Sequence, residues 1–155
     1  MLCRIACLVV FVVAGVSANF TPGGPSQIDD VTDESVVAAA DFAVTEMNKR
    51  SNSEYKLVRS NIVGGTMQIV AGVKYTLLLE VGLSHCHNDY KPSTLEECPL
   101  VKGAKQYQVV VWVEPTNPLT YHLLDDGFKD ASGKDVRDVM RKAYENAGYT
   151  YKEEM

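Results

Sequence analysis

Clustered positive charge is the first thing this chain lacks. Its 155 residues carry 15 Lys and Arg against 20 Asp and Glu, and no basic stripe forms anywhere. That excludes a surface built to neutralise the phosphates of nucleic acid or of an anionic membrane. Long apolar runs are missing too: the run Ile5 to Val16 covers about a dozen residues, where a bilayer span needs roughly 20. There is no Gly-rich phosphate loop, no Gly-x-Ser-x-Gly elbow and no paired-carboxylate constellation, so no enzyme signature appears and the acidic residues read as solvated surface. Internal repeats and low-complexity tracts are absent. Cysteine is scarce, at four residues, and tryptophan occurs once.

Arg4, the apolar run behind it and the small residues Val16-Ser17-Ala18 have the order of a secretory signal. Residues 1 to 18 are therefore read as a signal peptide and the protein as secreted. Loss of Arg4 makes the formal charge of -5 one unit more negative. Cys3 and Cys7 leave with the signal, so Cys86 and Cys98 remain in an oxidising compartment and are expected to form one disulfide. In the chain-entropy model a loop of about a dozen residues contributes roughly 3 kcal/mol. The remaining chain is enough for one domain with a proper core and too short for two.

Residues 19 to 30 hold prolines and glycines with little apolar material, which predicts an extended, mobile arm able to dock on a partner. Thr32 or Asp33 can cap a helix whose apolar positions Val36, Ala40, Ala43 and Met47 recur at steps of three and four, joined by Val37 and Val44. Alanines at 38 to 40 and 43 leave little bulk on it, so a sheet can wrap closely round. Period-two alternation comes next: Val73, Tyr75, Leu77, Leu79, Val81 and Leu83 against Lys74, Thr76 and Glu80. Tyr107 to Val113 and Leu119 to Leu123 repeat it. Tyr55 to Val63 is a weaker strand that ends at Gly64-Gly65, where a bulge or bend is expected. Beyond Gly127, Val136, Val139, Met140, Ala143 and Ala147 return to helical spacing and Gly148 supplies a stop. That second helix either covers an open part of the sheet or is a solvated tail. The fold class is α+β: one long helix wrapped by a four- to five-stranded antiparallel sheet, with an extra C-terminal helix.

Apolar residues at a hairpin tip make Gln68-Ile69-Val70-Ala71-Gly72 the most informative stretch. Gly72 permits a positive-φ backbone, Ile69 and Val70 offer apolar contact with little rotamer entropy to lose, and Gln68 can hydrogen-bond along a cleft rim. Together with Gly23-Gly24-Pro25, the helical run Asp41 to Lys49, and Cys86-His87-Asn88-Asp89 followed by Cys98, this stretch resembles the secreted, type 2-like cystatins, reversible inhibitors of papain-like cysteine proteases. Order and spacing agree over about residues 20 to 125, giving a cystatin-like domain at 19 to 126 and an extension at 127 to 155. The resemblance implies that Gly23 and Gly24 mark an arm for the non-primed subsites and that Gln68 to Gly72 enters on the primed side. Cystatins usually place Pro-Trp on a second hairpin. Pro115 matches, but Thr116 stands where Trp is expected, and Trp112 lies on the preceding strand.

Some secreted cystatins present an asparagine to legumain from a Ser-Asn-Asp turn. Here Asn52 matches within Ser51-Asn52-Ser53 but Ser53 does not, and a helix-ending turn rich in Asn and Ser is the simpler reading. His85-Cys86-His87 with Cys98 offers donors suited to zinc, yet neighbouring strand residues point to opposite faces and secretion favours a disulfide. The same pairing removes Cys86 as a nucleophile. Asn19-Phe20-Thr21 is a glycosylation sequon at the mature terminus, where its use is not expected. The expected protein is a monomeric, cofactor-free and metal-free inhibitor, not an enzyme, that competes for the cleft of papain-like proteases such as cathepsins. The alternative is a secreted, non-inhibitory binding module on the same scaffold.

Overall fold

The computed structural model of the protein describes residues 23–89, 97–101 and 103–151. The expected signal peptide, the Asn19 sequon and the first residues of the arm lie outside the described residues. Helix α1 (Glu34–Arg50) starts at Asp33, whose carboxylate accepts from the Ser35 amide at 2.9 Å. Glu34 in its first turn and Lys49 and Arg50 in its last complement the helix dipole. The buried stripe is Val36, Ala39, Ala40, Ala43, Val44 and Met47, with Val37 half-buried beside it. Ala39, Ala40 and Ala43 have no exposed surface at all, so the side chains of the sheet pack directly on the helix. Asn48 closes the far end: it donates to Leu57 O at 2.8 Å and accepts from Leu57 N at 2.7 Å.

Five antiparallel strands lie in sequence order: β1 (Pro25–Gln27), β2 (Tyr55–Val70), β3 (Gly72–His87), β4 (Lys105–Glu114) and β5 (Thr120–Asp130). Tyr75, Leu77, Leu79 and Val81 of β3 and Val109, Val111 and Val113 of β4 face α1 and form the main core. Three expectations change. The second half of the arm is an edge strand, with Pro25 opposite Gln68 and Ile28 buried in the core. β2 does not end at Gly64-Gly65 but bulges between Ile62 and Gly64 and continues to Val70. The bulge bends the strand round the helix without ending its ladder. β5 crosses the expected 126/127 boundary and carries Phe128 onto the core.

Helix α2 (Val136–Asn146) covers the outer face of the sheet, so the extension is not a free tail. Val139 packs with Leu78 and Ala131 in a second buried cluster, flanked by Val63 and Val136. Gly64 makes room for it, since a Cβ there would sit 2.8 Å from Val136 Cγ2. Cys86 and Cys98 form the expected disulfide.

Two outcomes test this packing. Gly64→Ala should lower the unfolding free energy by about 1–3 kcal/mol through overpacking, and adding Val136→Ala should recover part of that loss in a double-mutant cycle by chemical denaturation. Purely additive effects would show that α2 is not seated on the bulge. The second concerns acid. Hydrogen bonds from Ser35 hold Asp33 below the ordinary 3.8, and those from Arg137 do the same for Asp135, the cap of α2. A lowered folded pKa contributes stability that is complete above the unfolded value and is lost as pH falls through 3.8 and on through the folded one. Melting temperature should drop across that window, and less steeply with Asp33→Asn and Asp135→Asn together.

Candidate functional site

The β2–β3 turn is tight: Ile69 pairs with Val73 and Val70 with Gly72, leaving Ala71 at the tip. Ile69 is 58% and Val70 44% exposed, large values for residues so apolar. Gly72 has φ 104°, and a Cβ on it would stand 2.2 Å from Val113 O and 3.1 Å from both Pro115 Cδ and Trp112 Nε1. Only glycine lets the two hairpins approach so closely. Trp112 holds them together by donating its indole N–H to Ala71 O at 2.8 Å. Its ring stacks on His122 at 4.9 Å, and His122 Nε2 lies 3.2 Å from Glu114 Oε2.

The β4–β5 hairpin closes at the Glu114 and Thr120 pair, with residues 115–119 as its loop and a cis Asn117-Pro118 bond within it. Pro115 and Thr116 are both exposed. Thr116 is turned to its own loop: its hydroxyl donates to Pro118 O at 2.8 Å and lies 2.7 Å from Thr120 Oγ1. Leu119, 56% exposed, is the apolar residue this loop presents.

Gly23 and Gly24 lead into β1 beside the first tip. Gly23, at φ 79°, offers its carbonyl to Gln68 Nε2 at 2.8 Å. In the free protein the Gln68 amide ties the arm to the hairpin, and its Oε1 is buried without a partner among the described residues. The start of β1 and the tips of both hairpins line up at one end of the sheet, bringing together Gly23, Gly24, Gln68 to Gly72, Pro115 and Thr116.

Asn52 stands apart from them. It is exposed in the turn between α1 and β2, at the other end of the 16-residue strand whose tip is Val70. That turn is held by Ser53 N to Ser51 Oγ at 3.1 Å and Tyr55 N to Ser53 Oγ at 3.1 Å, the hydroxyl bonding its Ser-rich sequence favours. The Cys86–Cys98 bond takes both thiols. Among the described residues no cluster of His, Cys, Asp and Glu could hold a metal. What sequence reasoning missed is Trp112. Its spacing places it on β4, but only the register against β3, Lys74 opposite Trp112, brings it under the tip.

Residues 28–123 match the family model described as SQAPI, aspartic acid proteinase inhibitor. Cystatin-1 of Chilobrachys guangxiensis is 34% identical over 110 residues, covering 68% of this chain and 80% of that one. Cystatin-C of Saimiri sciureus is 43% identical over 89 residues, 56% of this chain and 59% of the relative. The salivary cystatin of the soft tick Ornithodoros moubata superposes with a TM-score of 0.59 at 20% identity, over 71% of this chain and 98% of that one, a likeness of fold. Mialostatin, a gut cystatin of the hard tick Ixodes ricinus, gives 0.58 at 20% identity, over 72% and 100%. With a cystatin fold and curated cystatins as relatives across most of the domain, the chain belongs to the cystatin family, whose members are protease inhibitors and not enzymes.

Proposed function

We propose that this protein blocks the active cleft of papain-like cysteine proteases, cathepsins among them, by inserting the edge formed by the arm and the two hairpin tips. The observation that carries the reading is the alignment of these three segments at one end of the sheet, with Ile69, Val70 and Leu119 exposed on them. A protease cuts a segment laid extended through its cleft. The Ile69 to Val73 turn is folded back on itself, pinned by Trp112 at Ala71 O and wedged at Gly72, so it fills a cleft without offering an extended peptide bond. Binding is by occupancy and is reversible. Rigid apolar side chains on a preformed hairpin lose little entropy on docking. Gly23 and Gly24 lie along the non-primed side and the first hairpin tip on the primed side.

Function outside the cell fits the Cys86–Cys98 disulfide, which persists in an oxidising compartment, and the apolar run at residues 5 to 16. The description of the matching family model makes a pepsin-like aspartic protease the second enzyme to titrate.

Titration of papain with the protein should give stoichiometric inhibition. Gly72→Ala should weaken it by about tenfold or more, because the added Cβ must push the hairpins apart, and Trp112→Phe should weaken it by about three- to tenfold by releasing Ala71 O. No inhibition of papain at micromolar protein would sink the proposal and favour the non-inhibitory binding module.

The second hairpin makes a separate prediction. An interface tryptophan contributes about 2 kcal/mol or more, roughly thirty-fold in affinity, and Thr116 supplies none of it. Thr116→Trp should therefore slow dissociation from papain, and Leu119→Ala should speed it. An unchanged off-rate in both, read by surface plasmon resonance, would remove the second hairpin from the interface.

A further inference from the structure

The family match stops at residue 123, before α2 begins. The two halves of this helix do different things. Its first half carries the packing, with Val139 and Met140 buried and Val136 against Gly64. Its second half faces the start of β1 across a polar groove, in which Ala143 and Asn146 lie opposite Pro25, Thr66 and Gln68.

The helix then ends in a way that aims one side chain. Gly148, at φ 79°, donates to Glu145 O at 3.0 Å, and Tyr149 N donates to Tyr144 O at 2.9 Å. These are the two bonds of a Schellman cap, which turns the chain sharply back over the last turn. Half-buried Tyr149 comes to rest with its hydroxyl 3.7 Å from where a Cβ on Gly23 would be. Gly23 is therefore tied at its carbonyl by the Gln68 amide and faced, on the side where a Cβ would project, by the Tyr149 hydroxyl.

We propose that α2 is a strut that pre-orders the N-terminal arm for the protease, with Tyr149 as the positioning residue. This rests on the reading of Gly23 and Gly24 as a protease-contacting segment. An arm ordered before docking loses less backbone freedom on binding, so the strut contributes to affinity without touching the enzyme.

The test uses Tyr149→Ala, together with Gly148→Ala, which disfavours the cap while leaving the buried half of α2 intact. Both should lower the backbone amide order parameters of Gly23 and Gly24 in NMR relaxation, with the order of Ala39 and Leu78 unchanged. Both should weaken papain inhibition by about three- to tenfold. That loss should vanish in a chain shortened to begin at Pro25, where there is no arm left to order; a merely structural role for Tyr149 would persist there. Unchanged order parameters at Gly23 and Gly24, or an equal loss in the shortened chain, would overturn the strut. If the unaltered protein does not inhibit papain, the functional reading fails, while the order parameters still decide whether α2 orders the arm.

Discussion

A sheet laid directly on the alanine face of α1 is the contact on which the other features of this molecule depend. Ala39, Ala40 and Ala43 present almost no side-chain bulk, so the large side chains of β3 and β4 pack closely on the helix and the sheet curves round it. Curvature demands slack in a long strand. β2 provides it through its register shifts, the last of them between Ile62 and Gly64. The same bulge removes a side chain from the outer surface just where Val136 comes down, so the groove that lets the sheet bend also seats the second helix. One constraint thus shapes both faces.

Much of the fold is legible in the sequence because it depends on local periodicity. The α1 stripe, the alternation along β3 and β4 and the pairing of Cys86 with Cys98 need only short-range pattern and compartment. The illegible part depends on register. Leu78 sits at a polar-phase position of β3, between Thr76 and Glu80, and the alternation gives it no role. An apolar residue on the solvent face is the trace a covering layer leaves, and Leu78 is fully buried beneath α2. Gly64 and Gly65 look like a strand end to a local reading, since glycine weakens strands. In the fold they mark close approaches, to Val136 for Gly64 and to Thr76 O for Gly65. Gln68 and Trp112 stand out as residues, but their partners lie 45 and 41 positions away in the chain. Spacing carries no information about such pairs.

The site divides its labour by polarity. Its polar side chains are spent inside the protein: Gln68 on Gly23 O, Trp112 on Ala71 O, Thr116 on Pro118 O. Its large apolar side chains, Ile69, Val70 and Leu119, are left facing solvent. In the proposed docking mode, affinity at this edge comes from apolar burial and backbone contacts, with the polar groups fixing shape. Such a surface is shaped to fill a groove. The weak point of the proposed interface is the second hairpin, where Leu119 stands in for an aromatic, and a leucine covers less surface than a tryptophan. A chain so built gains from an arm ordered by other means, and α2, lying against β1, is the element to which the proposed strut assigns that task.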